Sequence, residues 1–180
     1  MIKKTILVLL ALVLLLAMIG SVLTQRYECS RSVVIQAPTE KIFARIGDLE
    51  SWPEWDPFRE ASEREHLNLK TTPGEKSSGI GASQSWSSDR DNGRLSFTEC
   101  DPKTGIAYDV VFTNGERESP AQCRMRMNPR PNGSVELVWS IHGEMNMPVI
   151  GGFFARIADR KLGPMFERGL NKLKAQAEAR

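Results

Sequence analysis

Acid–base and nucleophilic chemistry have little to draw on in this 180-residue chain, which carries two histidines, three cysteines and 22 carboxylates. The arrangement that invites such chemistry is Ser140, His142 and Glu144, alternate residues of SVELVWSIHGEM that share one face of an extended strand. Same-face neighbours on a strand stand ~6.5–7 Å apart, too far for a nucleophile and its base to touch, so no triad is expected and no catalytic residue is assigned. His66 follows Glu63, Arg64 and Glu65 and reads as solvated. Cys29, Cys100 and Cys123 are odd in number and lack CxxC spacing, which suits neither a disulfide framework nor a zinc site. Cys100 and Cys123 fall on strands that should flank a third, about 9.5 Å apart, beyond the ~7 Å that a disulfide spans. Gly79-Ile80-Gly81 leads into strand-like sequence instead of a helix, so it is not a phosphate loop. No metal or cofactor is expected. For an enzyme, the candidates are a carboxylate or phenol inside a cavity, with Glu99 and Tyr108 the nearest to hand.

The aromatic residues say more. Trp52, Trp55, Phe58, Trp86, Phe97, Tyr108, Phe112 and Trp139 are spread over many segments. Aromatics at strand alternation commonly pack as core. If the space behind the sheet is partly hollow, the same rings line a pocket, and Tyr108 gives it a polar end. Trp55, Trp86, Phe97, Tyr108, Phe112 and Trp139, with Phe154 and Met165 from the C-terminal segment, are therefore the candidate ligand-binding residues. Met145, Met147 and Met165 suit an adaptable mouth.

The elements that must position these rings are legible from periodicity. SVVI at residues 32–35 reads as a strand, and Pro38 opens a helix over 39–48 with Ile42, Phe43 and Ile46 on one face. The segment WPEWDPF suits one or two helical turns. Period-two patterns then predict strands over 66–71, 81–87, 94–100, 106–113, 122–128 and 135–145, closed by Pro-Gly, Asn-Gly and Asp-Pro turns. Ile106, Tyr108, Val110 and Phe112 share one face, as do Leu137, Trp139 and Ile141. From residue 148 the pattern is helical, with Gly163-Pro164 predicting a kink or a break. Phe153, Phe154 and Ile157 are expected to face the sheet. The fold class is α+β: an antiparallel sheet of about seven strands covered by a long C-terminal helix.

Ahead of all this, Thr5 to Leu23 is an uncharged apolar run that reaches roughly 28 Å as a helix, close to the ~30 Å of a bilayer's hydrocarbon core. A cleaved signal is the competing reading, but its apolar region is shorter and ends in a small-x-small site, which is missing near Ile19 to Ser21. Residues 1–25 are thus expected to be a single-pass anchor and residues 31–180 the ligand-binding domain. Lys3 and Lys4 precede the run, and the shallow charge contrast favours a domain outside the cytoplasm. A formal net charge of +2, with no basic block, argues against nucleic acid as a partner.

VVIQAPTEKIFARIGDLESWPEWDPF resembles the opening of the helix-grip proteins of the START and polyketide cyclase/dehydrase (SRPBCC) superfamily. Two later stretches agree, GRLSFTECDPKTGIAYDVVF and SVELVWSIHGEM with its following FERGLNKLKAQAE. The similarity covers roughly residues 31–178. It implies a curved sheet gripping a long helix and a cavity for a lipid- or polyketide-like molecule. Members that catalyse imply a cyclase or dehydratase as the alternative. Pro164 departs from the uninterrupted terminal helix the resemblance implies.

Overall fold

The computed structural model describes residues 2–179. An apolar helix α1 (Ile2–Val22) leads after three residues into β1 (Arg26–Ile35). Then come α2 (Thr39–Ile46), a 3₁₀ turn over Leu49–Glu54 and the short α3 (Pro57–Arg64). Six strands follow: β2 (Lys70–Pro73), β3 (Ser83–Ser87), β4 (Asn92–Asp101), β5 (Gly105–Asn114), β6 (Arg117–Pro129) and β7 (Val135–Glu144). The chain closes with α4 (Gly151–Glu178). The sheet is antiparallel in the order β1-β7-β6-β5-β4-β3-β2, a meander whose last strand pairs with the first. This is the α+β, helix-gripping arrangement expected above.

Alternation decides the inner face. Val135, Leu137, Trp139 and Ile141 on β7 are all buried, as are Ile106, Tyr108 and Val110 on β5. Cys100 and Cys123 sit on β4 and β6 with β5 between them, the strand order expected.

Four features differ from the sequence reading. Strand β1 starts at Arg26 and not Ser32, because it pairs with β7 along its whole length, Arg26 opposite Glu144. The strand expected over 66–71 begins only at Lys70, since His66 and Asn68 take left-handed backbone (φ 55° and 47°) incompatible with a strand. Helix α4 runs unbroken through Pro164. Arg31 from β1 explains part of this: its guanidinium binds Asp159 at 2.8 and 3.0 Å and Glu167 at 2.8 Å, one carboxylate on each side of the proline. Gly163 makes room for it, since a Cβ there would lie 2.0 Å from the guanidinium. The fourth difference is that Phe153, Phe154 and Ile157 point away from the sheet. The buried positions of α4's first two turns are Gly151, Gly152, Ala155 and Ala158, so the helix approaches its neighbours on small residues and turns its large ones outward.

Candidate functional site

Helix α4 lies mainly along β1, with the far end of its stripe, Phe166, Leu170, Leu173 and Ala177, fully buried. Two contacts fix that end: Lys174 donates to the Val34 carbonyl at 2.7 Å, and the Glu178 carboxylate accepts from the Gln36 N–H at 2.6 Å. Above β7 the gap is filled by rings. Trp139 stacks on Phe166 with centroids 4.1 Å apart and planes 4° from parallel. Trp55 meets Trp139 edge-on at 5.6 Å, and Trp52 joins Trp55, Phe97 and Tyr108 at 5.1, 5.8 and 5.3 Å. The indoles are pinned as well as packed: Trp52 donates to the Ile46 carbonyl at 3.0 Å and Trp55 to that of Arg45 at 3.1 Å. Such donations tie the WPEW segment to the end of α2 and satisfy two polar groups that burial would otherwise strand.

Toward β3, β4 and β5 the packing opens. A cavity of about 340 Å³ lies between their inner faces, α3 and the middle of α4. Trp86, Leu95, Val110 and Phe112 form its sheet side, Phe58 and Ala61 its α3 side, and Leu162, Met165 and Phe166 its α4 side. Its inner end is Tyr108, Cys123 and Trp139. The Trp139 indole N–H donates to the Tyr108 hydroxyl at 3.1 Å. Burial pushes the Tyr108 phenol well above its ordinary value and the Cys123 thiol up to about 12, so both stay neutral at physiological pH.

Asp56 also faces this space. It is the N-cap of α3, accepting from the Phe58 N–H at 2.9 Å, with Pro57 at the first helical position. Loss of solvent raises its carboxyl to about 6, against the opposing pull of the Phe58 and Arg59 N–H groups and the charges of Arg59 and Lys172.

The loop from α3 to β2 covers one side. It is clipped to the β3–β4 turn by an ion pair between Glu65 and Arg90 and by a 2.6 Å bond from Asn68 to Asp89. A third link runs from the Asp89 N–H to the Leu67 carbonyl at 3.0 Å. A second depression of about 450 Å³, polar and lined by Glu63, His66 and Asn68 among others, adjoins this loop and shares Arg59, Ser62, Leu67, Leu69 and Thr71 with the cavity.

Of the residues singled out from sequence, Trp86, Tyr108, Phe112, Trp139 and Met165 line the cavity. Trp55 and Phe97 do not: both are buried in the filled aromatic cluster behind it. Phe154 is 46% exposed on the outer side of α4 and is not part of the cavity. Glu99, the carboxylate named for an enzyme, lies on the outer face and pairs with Arg124 at 2.7 and 2.9 Å. A register shift between Phe97 and Glu99 is the reason, because one extra residue reverses the alternation that would have turned Glu99 inward. Asp56 was missed in its place; the Asp-Pro pair ahead of a helical turn was the available signal. Ser140 donates to the Arg124 carbonyl at 3.5 Å and His142 meets Gln122 at 2.8 Å, so the two do not act on one another. Among the described residues no group of three metal-ligating side chains comes together.

A family model described as polyketide cyclase / dehydrase and lipid transport matches residues 26–178. No curated protein matches the sequence. Solved structures share the fold at low identity. A protein of Chromobacterium violaceum is 14% identical, with 86% of this chain and 99% of that one covered and a TM-score of 0.61. A hypothetical protein of Helicobacter pylori is 10% identical over 83% and 87% of the two chains, with a TM-score of 0.62. A protein from the dynemicin biosynthetic locus is 14% identical over 85% of this chain and 49% of its own, with a TM-score of 0.54.

Proposed function

Because this chain belongs to the polyketide cyclase / dehydrase and lipid transport family, we propose that it holds a small hydrophobic molecule, lipid- or polyketide-like, in the cavity beside α4, while residues 1–25 tether it to a membrane. The observation that carries the reading is the hollow itself. Its volume falls in the ~300–1,000 Å³ range of small-ligand sites, and its walls are mostly apolar with a few polar groups at defined places. Trp86, Phe112 and Met165 would contact the apolar body of the ligand, and Asp56 and the Tyr108–Trp139 pair would meet its polar end. Helix α1 supports the tether: Lys4–Val22 is long and apolar enough to cross a membrane, and its side chains are almost all exposed. In this reading the cavity lies outside the cytoplasm. Native mass spectrometry of the full chain, extracted from its own membranes, is the test. The expected result is a bound apolar mass that leaves on activation. Protein free of adducts that also fails to take up an added fatty acid would overturn it. N-terminal sequencing of the mature chain separately decides anchor from cleaved signal.

Asp56 supports a second reading, a cyclase or dehydratase acting in the same cavity. A carboxyl raised to about 6 is close to half ionised near that pH and can both give and take a proton beside a bound substrate. Under this reading Asp56→Asn abolishes turnover and keeps binding, whereas under the carrier reading there is no turnover to lose.

A further inference from the structure

Val149 and Ile150, just ahead of α4, and Phe153, Phe154 and Ile157 on the outer side of its first turns are each between 38% and 48% exposed. Outside α1, Ile80 is the only other large apolar residue so open among the described residues. Five such side chains together call for a covering partner. What they adjoin identifies it. Gly20 of α1 lies against this helix start so closely that a Cβ there would be 1.9 Å from the Val149 carbonyl and 2.9 Å from the Phe153 ring. Gly152 meets Leu23 in the same way, at 2.3 Å. The three-residue link between α1 and β1 is stitched to the segment before α4: the Gln25 carbonyl accepts from the Met145 N–H at 2.9 Å, and its side chain from the Met147 N–H at 3.1 Å. The apolar patch is thus continuous with the C-terminal end of α1 and held at a fixed place beside it.

Charge agrees. Arg156, Arg160 and Lys161 are exposed on the same stretch of α4, whose one acid, Asp159, is engaged by Arg31; Arg26 at the start of β1 is exposed as well, with Glu144 opposite it on β7. An apolar helix face rimmed by basic residues is the composition of a segment that lies in the lipid–water interface.

We propose that the first two turns of α4 lie in the interface of the bilayer that α1 enters, with Phe153, Phe154 and Ile157 among the acyl chains and the basic rim at the phosphates. The inference rests on α1 being a retained anchor. It makes α1 and α4 a two-point attachment, so the domain has one orientation on the membrane instead of swinging on a tether. Leu162 and Met165 of the cavity wall then stand roughly 8–12 Å further along the same helix, at 1.5 Å per residue.

The full chain reconstituted in vesicles of phosphatidylcholine with brominated acyl chains and phosphatidylglycerol provides the test. The native tryptophans lie in the aromatic core (Trp52, Trp55 and Trp139) and on the cavity wall (Trp52, Trp86 and Trp139), where a brominated lipid held in the cavity would quench them, so each variant is read as its difference from the parent chain in the same vesicles. Phe154→Trp is expected to add emission that is lost in brominated vesicles and kept in unbrominated ones. Ile80→Trp, on the exposed loop bridged to Asp48, is expected to add emission that is equal in both kinds of vesicle. Equal added emission from Phe154→Trp in both kinds of vesicle, with the chain resisting alkaline extraction, would overturn the interface and leave the anchor standing. Equal loss at both positions would overturn the fixed orientation. Release of the chain by alkali would overturn the anchor, and the interface with it.

Discussion

The two sides of the sheet use the same residues to opposite ends. On the side of β1 and β7, α4 lies directly on the strands, and Trp55, Trp139 and Phe166 close the gap with rings about 4–6 Å apart. On the side of β3 to β5, Trp86, Phe112 and Tyr108 keep the same alternation but face a hollow of about 340 Å³. Aromatic content does not distinguish them. The path of α4 does: it runs mainly along β1 and reaches the hollow only with Leu162, Met165 and Phe166, while the short α3 and a clipped loop cover the rest. A burial pattern therefore records that a face is dry, and the covering element decides whether it is filled.

The largest contrast is expected from truncation. Trp55→Ala removes a wholly buried ring and its bond to Arg45, and should cost ~3–5 kcal/mol in chemical denaturation. A loss as small as that of a surface change would mean the aromatic cluster is not solid. The next effect comes from Asp56, and its sign runs against the usual carboxylate. Its folded-state pKa is raised from 3.8 to about 6, so the folded protein holds the proton more tightly than the unfolded chain. The stability this confers is full below pH ~3.8 and is lost as pH rises through about 6, a decline of about 3 kcal/mol. Asp56→Asn keeps an oxygen for the helix cap and should flatten that decline in urea melts at pH 4, 5, 6 and 7. An unchanged slope in the variant assigns the decline to another group.

Phe112→Ala sharpens the comparison from the hollow side. Part of its surface already meets empty space, so it should cost less than ~2 kcal/mol while weakening uptake of a fluorescent fatty acid. A penalty matching that of Trp55→Ala would place Phe112 in a filled core. The smallest stability effect belongs to Arg90→Ala, which cuts an exposed ion pair worth ~0–1 kcal/mol. Its consequence should be kinetic: with one clip of the α3–β2 loop gone, stopped-flow release of the same probe should speed up at nearly unchanged melting temperature.

The sequence carried the meander order of consecutive strands and the inner faces, because alternation and Asn-Gly or Asp-Pro turns fix them locally; the pairing of β1 with β7 is long-range and was not legible. Tyr108, Trp139 and Phe112 could be assigned to one side on that basis alone. Three features were hidden for separate reasons. Glu99 was misplaced because a bulge leaves no mark in the pattern until the partner strand is known. Asp56 is the N-cap of α3, which local sequence can suggest; what brings it to the cavity is the docking of α3, a long-range event. Phe153, Phe154 and Ile157 have helical spacing, but spacing says which residues share a face and not what that face meets. The small residues Gly151, Gly152, Ala155 and Ala158 on the opposite side held that information.

The most direct test fills the hollow. Val110 is buried on β5 and lines the cavity, so Val110→Phe should place the added ring in empty space. Fatty-acid binding and the urea midpoint are measured on the same preparation. The expected result is loss of binding with the midpoint unchanged or raised. In a packed core the same enlargement costs ~1–3 kcal/mol. A lowered midpoint with binding retained would mean that the space beside α4 is filled and that the ligand sits elsewhere.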